Sequence, residues 1–215
     1  MGSETTAVLD DTCGNLIQPP QKGVKGTLMP QTQPVPYRQL LDDLRSPGQE
    51  RQNRAFHALL KASDSPVDWA YEVWDDLLRT LMDGDNRQRS IAAQVLSNLA
   101  KSDPKQRMLR DLETLLRVTK DERFVTARHC LHSLWKVGVA GEPQRKTLLK
   151  SLAGRFNECA AEKNCTLIRY DILVVLRRVY DVVNEDEQIR SIAERLIATE
   201  EDAKYRKKYA TVWRK

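Results

Sequence analysis

Residues 77–100 read LLRTLMDGDNRQRSIAAQVLSNLA, and this stretch decides the fold. Apolar residues recur at helical spacing on both sides of the turn-forming run Asp83-Gly84-Asp85, which predicts two helices joined by a short turn. In the second helix Ala92, Leu96 and Leu99 fall on one face. The small residue lets two helices approach closely, and the leucines fill the space between neighbouring hairpins.

The same apolar spacing occurs elsewhere in the chain. Each copy begins with a small or branched residue and continues with two apolar residues on the same helix face. The copies are Ala127, Leu131 and Leu134; then Ile172, Leu176 and Val179; and a weaker, earlier one at Ala55, Leu59 and Ala62.

Proline positions give the same period independently. Ser65-Pro66, Asp103-Pro104 and Glu142-Pro143 each predict a helix with proline at its first position. Their prolines lie 38 and 39 residues apart. A period near 40 residues, with two helices per period, is typical of an α-solenoid.

The stretch 77–100 resembles a HEAT repeat, with an apolar first helix, an Asp-bearing turn, an arginine, a small residue and two leucines. The resemblance extends over residues 37–200 as about four repeats. It departs from the family pattern at Gln88, where a valine is usual, and at Phe124, where the arginine is usual. The resemblance implies an all-α fold, an α–α superhelix of about four HEAT-like helical hairpins.

The two ends of the chain differ from this repeat region. Residues 1–36 contain five of the nine prolines and no helical period, which predicts a flexible N-terminal arm before a repeat domain at 37–215. Near the other end, residues 186–197 predict a short helix and residues 200–213 a capping helix. The stripe Tyr205, Tyr209 and Trp213 predicts that one face of this last helix packs on the preceding repeat.

Catalytic motifs are missing from the sequence. It contains no Walker loop, GxGxxG, GxSxG or HExxH, so we expect no enzyme activity, no cofactor and no small-molecule substrate. It contains no apolar run long enough to span a bilayer, so we expect no membrane partner and a cytoplasmic location. In a reducing cytosol Cys159 and Cys165 are expected to remain thiols.

Two local clusters admit a functional and a structural interpretation. His129 and His132 could form half of a zinc or iron site completed by a carboxylate from a neighbouring hairpin, or they could lie on an exposed helix side around an inward Cys130. Trp69, Trp74 and Trp135 could line a cleft of the kind that HEAT-like base-excision proteins use. We favour the structural interpretation of both clusters, which places the tryptophans in the core.

The net charge of +5 originates at the C-terminus. The rest of the chain has 29 basic and 30 acidic residues, which argues against a domain-wide phosphate-binding face. The terminal cations could form a solvated cap or could hold an acidic partner or a phosphate backbone. This basic C-terminal patch comprises Lys204, Arg206, Lys207, Lys208, Arg214 and Lys215.

A partner surface is predicted on the second helices, which usually line the concave side of stacked hairpins. Positions two, six and nine residues after the small core residue point away from the core. They form a polar, mildly basic row that is either a solvated face or a groove for an acidic peptide or helix. The row comprises His57, Lys61, Gln94, Asn98, Lys101, His129, Ser133, Lys136 and Arg178.

The leading hypothesis is therefore a non-enzymatic scaffold or adaptor that binds a protein partner on this concave face. The alternative is a nucleic-acid-binding protein that uses the C-terminal cations and the concave lysines and arginines. A third and weaker hypothesis is a HEAT-like repair or metal-dependent enzyme built around His129 and His132.

Ala92→Leu should overpack a close helix contact and lower the free energy of unfolding by about 1 to 3 kcal/mol. Thermal or denaturant unfolding measures the change. An unchanged stability would show that the repeat alignment is wrong.

Overall fold

The computed structural model describes residues 36–184 and 186–214, and within these ranges the chain is all-helical, without strands. The predicted arm lies outside the described residues except for Pro36. Among the described helices none is long and apolar enough to cross a membrane. The α-helices are α1 (Tyr37–Leu44), α2 (Gln49–Ala62), α3 (Ala70–Asp83), α4 (Asn86–Leu99), α5 (Arg107–Arg117), α6 (Phe124–Ser133), α7 (Trp135–Ala140), α8 (Glu142–Glu158), α9 (Cys165–Val182), α10 (Glu187–Ala198) and α11 (Ala203–Ala210).

Consecutive helices pack in pairs, and the pairs contact their neighbours helix by helix. One series of contacts runs from α2 to α4, then to α6 and to α9. α7 continues α6 after Leu134, and α11 packs on α9. The other helices follow the same rule, because α1, α3, α5, α8 and α10 also contact one another in chain order. We call α2, α4, α6, α7, α9 and α11 the second-helix row, and α1, α3, α5, α8 and α10 the first-helix row.

The predicted core register is confirmed. Ala92, Leu96 and Leu99 are buried in α4, and their counterparts in α6, α9 and α2 are buried as well, apart from half-buried Ala62. All of these buried positions except Ala127 belong to one hydrophobic core cluster, whose apolar burial stabilises the helical packing.

Two arginines link successive hairpins in an equivalent way. Arg89 of α4 donates to Asp121 at 2.6 Å, and Arg169 of α9 donates to Glu200 at 2.8 Å. Each carboxylate lies in the turn of the following hairpin and is almost fully buried. At the equivalent position of α6 the chain has Phe124, and the Arg128 guanidinium lies over its ring at 5.9 Å.

Two of the three predicted helix starts are wrong. α3 begins four residues after Pro66 and α5 three residues after Pro104, whereas α8 does have Pro143 in its first turn. For α5 the physical reason is Asp103, whose carboxylate accepts from the backbone N–H groups of Arg107 and Met108. The residues after Pro66 and Pro104 therefore belong to connections between hairpins.

The C-terminal helix packs as the aromatic stripe predicts. Asp202 caps α11 by accepting from the Lys204 N–H, and buried Tyr209 donates its hydroxyl to the Thr166 carbonyl of α9 at 3.0 Å. Trp213 is also buried, with its ring 5.3 Å from that of Tyr180, while Tyr205 is half-buried. The last helix and the 3-10 turn that follows it, Thr211–Trp213, therefore contact α9 at Thr166 and at Tyr180.

Cys159 and Cys165 form a disulfide, contrary to the prediction that they remain thiols. A short 3-10 turn after α8 and the first residue of α9 bring their Cα atoms to 5.1 Å, within the range that a disulfide spans. The bond closes the turn between the two helices. Cys130 is buried as a free thiol, and burial raises its pKa.

Reduction of this disulfide should lower the free energy of unfolding by about 2 kcal/mol, because it releases a seven-residue loop in the unfolded chain. Denaturant unfolding with and without reductant measures the change, and a Cys159→Ser/Cys165→Ser variant should not respond to reductant. Thiol titration of the denatured, air-equilibrated protein should find the same number of free thiols as in the Cys159→Ser/Cys165→Ser variant. Four free thiols would contradict the bond.

Candidate binding face

The second helices are joined to each other by buried polar contacts. Asn98 of α4 is 1% exposed, and its Nδ2 donates to the carbonyls of Leu60 and Ser63 and to the Ser63 hydroxyl. An amide that is buried without partners would be costly, and these contacts satisfy it. They also fix α4 against the end of α2.

On its other side α4 meets α6 through hydroxyl groups and a histidine. Ser97 and Ser133 share a hydrogen bond of 2.9 Å, and the Thr126 hydroxyl donates to the Asn86 carbonyl. The Nδ1 of His129 lies 3.0 Å from the Ser90 hydroxyl. These contacts lie at the beginning, middle and end of the α4–α6 interface.

A buried carboxylate joins α6 to α9. Asp171 of α9 has a fully buried side chain and receives two hydrogen bonds from Arg128, at 2.7 and 3.0 Å. His132 lies 3.0 Å from the same carboxylate. Burial alone would raise the pKa of Asp171, but hydrogen bonds from His132 and Arg128 hold it below its ordinary value.

The nine residues predicted to form the partner surface divide by exposure. Five of them are exposed, while Gln94 and Lys136 are half-buried, and Gln94 donates to the Ser90 carbonyl. The exposed members are His57, Lys61, Lys101, His129 and Arg178.

The prediction is wrong for Asn98 and Ser133, which are buried between second helices. In α4 and α6, position six lies on the side of the helix that meets the preceding second helix, so α2 covers Asn98 and α4 covers Ser133. In α9 the same position is Arg178, which is exposed. Lys61 holds the same position in α2, yet it is exposed because α2 is the first helix of the row.

Lys101 lies in the 3-10 turn that follows α4 and contacts the connection after α2. Its Nζ donates to the Asp64 carbonyl at 3.0 Å while the residue as a whole stays exposed. Partial desolvation lowers the pKa of Lys101. This lysine therefore both links two hairpins and contributes charge to the surface.

The histidine pair contacts two different neighbours. His129 faces Ser90 on α4 and His132 faces Asp171 on α9. Among residues 36–184 and 186–214, no group of three His, Cys, Asp or Glu residues is close enough to hold a metal ion. The pair serves the interfaces on either side of α6.

The tryptophans are mostly core residues. Trp74 is fully buried, and its indole N–H donates to Asp111 at 2.9 Å, so it offers no free face to a ligand. Trp69 is also buried and stacks on Tyr37 at 5.2 Å, whereas Trp135 is half-buried.

The basic C-terminal patch is exposed in all five of its described members, and Lys215 lies outside the described residues. Arg206 donates to the Glu200 carbonyl. Lys208 lies over the ring of half-buried Tyr170 at 5.2 Å, and Lys204 lies over Tyr205 at 5.8 Å. The patch therefore combines cations with tyrosine rings.

The two helix rows differ sharply in charge. The helices of the second-helix row contain 14 lysines and arginines and only three acids, Glu50, Asp171 and Asp181. Those of the first-helix row contain 11 basic and 12 acidic residues. Some cations are neutralised by loop carboxylates, but Lys61 and Arg178 form no ion pair within the described residues. Without α11, whose four cations belong to the basic C-terminal patch, the second-helix row still has ten basic residues and three acids, so the near-neutral charge of the rest of the chain conceals a basic row.

A scan against protein-family models and a search of curated proteins found no match to this chain.

Lowering the pH from 7 to 5 should destabilise the α4–α6 interface through His129. Partial desolvation, together with the charges of His132 and Arg128, lowers its pKa in the folded protein. The unfolded chain therefore binds this proton at a higher pH, and folding stability decreases as the pH falls through that window. Unfolding curves of His129→Gln should show a shallower loss than wild type.

The matched control for this measurement is His57→Gln. His57 is exposed, and its ring contacts that of its neighbour Phe56 within the same helix. An equal flattening of the pH dependence in both variants would contradict the role of His129.

Proposed function

We propose that this chain is a non-enzymatic scaffold built as a HEAT-like α-solenoid, and that it binds an acidic protein segment on the outer surface of its second-helix row. The observation that carries the proposal is the concentration of positive charge in this row. The partner surface comprises the exposed positions of the row, with His57, Lys61, Lys101, His129 and Arg178 as its predicted contacts.

The hydrogen-bond pattern supports stacked repeats of about 40 residues. Among the described residues, every side-chain hydrogen bond between positions more than 15 apart in the sequence spans 31 to 43 residues. Such contacts join each hairpin to the next one and leave distant hairpins unconnected. This nearest-neighbour pattern is the physical characteristic of a solenoid.

Charge is the second support, because a basic surface attracts and orients an acidic partner. Lys61 lies on α2, the first helix of the row, and Arg178 lies on α9, with Lys101 and His129 between them in the chain. An extended or helical acidic segment that crosses several hairpins could contact all of them. The neutral first-helix row provides no such field.

A nucleic-acid partner is the second candidate, favoured by the C-terminal patch. There, Lys208 over Tyr170 and Lys204 over Tyr205 place cations beside aromatic rings, a combination that binds single strands through phosphate contacts and base stacking. Because these cations would neutralise phosphates and release their counterions, the affinity would fall steeply as the salt concentration rises.

The experiment compares a fluorescein-labelled polyglutamate peptide with an oligothymidylate of equal charge, by anisotropy over a range of salt concentrations. Lys61→Glu/Arg178→Glu should weaken peptide binding about tenfold at low salt. The matched control, Lys150→Glu/Arg195→Glu, makes the same charge change on exposed cations of the first-helix row and should leave the affinity within about twofold.

Equal weakening by both double variants would contradict a specific second-helix face. Tighter binding of the oligothymidylate, lost in Lys204→Glu/Lys207→Glu, would instead support the nucleic-acid candidate.

A further inference from the structure

A groove of about 470 Å³ lies between α8 and α10 of the first-helix row. Its volume is within the range of binding pockets. Its lining residues recur at helical spacing on both helices, so the groove follows one face of each helix. No residue of the proposed partner surface lines it, so a function of this groove is additional to the one proposed above.

The floor of this groove is apolar and consists of Leu149, Ala153, Ile192 and Leu196. The two leucines are 5% and 6% exposed, while Ala153 and Ile192 are half-buried. Because Ala153 has a small side chain, the floor leaves room for apolar groups of a partner. Covering the floor would remove apolar surface from water, which favours association.

The rim of the groove carries positive charge. Its residues, all of them exposed, are Lys146, Lys150, Gln188 and Arg195. Lys146 pairs with Glu142 of its own helix at 2.6 Å, whereas Lys150 and Arg195 form no ion pair within the described part of the chain. These two cations can therefore pair with carboxylates of a partner, although the first-helix row as a whole is close to neutral.

The other interfaces of the first-helix row differ, because ion pairs bridge them. These pairs are Arg38 with Glu72 between α1 and α3, Arg107 with Asp75 between α5 and α3, and Lys120 with Glu158 between the 3-10 turn after α5 and α8. Among the described residues, no side-chain hydrogen bond or ion pair joins α8 to α10. The interface with the groove is therefore the one at which carboxylates are missing.

Both walls of the groove are helices, and this determines which backbone can lie there. The N–H and C=O groups of α8 and α10 are used within the helices, so they offer no hydrogen-bonding edge to an extended chain. An extended peptide over the apolar floor would bury backbone groups without partners, whereas a helix satisfies its own. A helix is therefore the backbone that fits this groove.

We propose that the groove binds an acidic amphipathic helix of a protein partner, with apolar side chains on the floor and carboxylates beside Lys150 and Arg195. Helices bind to such grooves through apolar residues at i, i+3, i+4 and i+7. Residues 146–153 of α8 rise by about 10 Å along the helix axis, so about two turns of the bound helix would contact the groove.

The test uses a capped, fluorescein-labelled peptide of about fifteen residues, built from leucine, alanine and glutamate, with all leucines on one helix face. A control peptide of the same composition and charge has its leucines distributed around the helix. Anisotropy at about 150 mM salt, where charges more than about 8 Å apart are screened, measures both affinities. The peptide with the leucine face should bind about tenfold more tightly than the control peptide.

Charge reversal on the rim tests the role of the cations. Lys150→Glu/Arg195→Glu should weaken binding of the peptide with the leucine face about tenfold, although the same change leaves polyglutamate within about twofold. An excess of polyglutamate, which has no apolar side chains, should not displace this peptide. This competition separates the groove from the second-helix row, so the two proposals can fail independently.

A polar substitution in the floor tests the apolar contact. Ile192→Gln keeps a side chain of similar length and should weaken binding about tenfold, because it removes apolar surface from the floor. Val182→Gln makes a comparable change at an exposed valine of α9 outside the groove and should leave the affinity within about twofold. Circular dichroism verifies that both variants are folded, and the rim variant decides if Ile192→Gln is not.

Equal affinity of the two peptides would overturn the proposal, as would unchanged binding in folded Lys150→Glu/Arg195→Glu. Binding of the protein to phosphatidylglycerol vesicles, without affinity for the peptide with the leucine face, would also overturn it and would favour a membrane surface as the occupant.

Discussion

The close approach of α4 to its neighbours is the constraint on which the rest of the structure depends. Residues 90–93 and 95–99 are all buried, so this helix is enclosed by α2, α3 and α6 and contacts solvent only along a narrow line. Small residues make this possible. Ala92 and Ala93 are fully buried, and Ser97 and Asn98 form hydrogen bonds with α6 and with the end of α2. A larger side chain at any of these positions would separate the hairpins.

This packing also determines what the second-helix row can present to a partner. Side chains that point sideways are used to join helices, as Asn98, His129 and Asp171 show. The outward positions that remain are largely polar or basic, and the acids are concentrated in the turns and in the first-helix row. Arg89 and Arg169, which tie hairpins together, pair with carboxylates of the turns, Asp121 and Glu200.

The sequence predicts the helical hairpins and their core register well, because apolar periodicity reports directly on burial. Ala92, Leu131 and Val179 are buried where the spacing places them. The faces between second helices could not be predicted, since periodicity shows which side of a helix is inward but not which neighbour covers its flank. Asn98 and Ser133 were assigned to the surface for this reason. The helix start predicted from Pro104 is wrong as well, because the carboxylate of Asp103 sets a later start of α5.

The charge of the candidate face could not be predicted from the sequence for a different reason. The net charge of the chain sums both helix rows. Only the contacts between helices show to which row each cation belongs. The paired cysteines illustrate a similar limit, because their spacing permits a disulfide but only the turn between α8 and α9 brings them together.

The central claim is that the second-helix row forms the one strongly basic side of the helical rows. Its most direct test compares NMR relaxation of backbone amides caused by an anionic and by a neutral paramagnetic cosolute. The account predicts stronger relaxation by the anionic probe along α2, α4, α6, α9 and α11, and little difference between the probes along α1, α3, α5, α8 and α10. Equal enrichment of the anionic probe at both rows would contradict it.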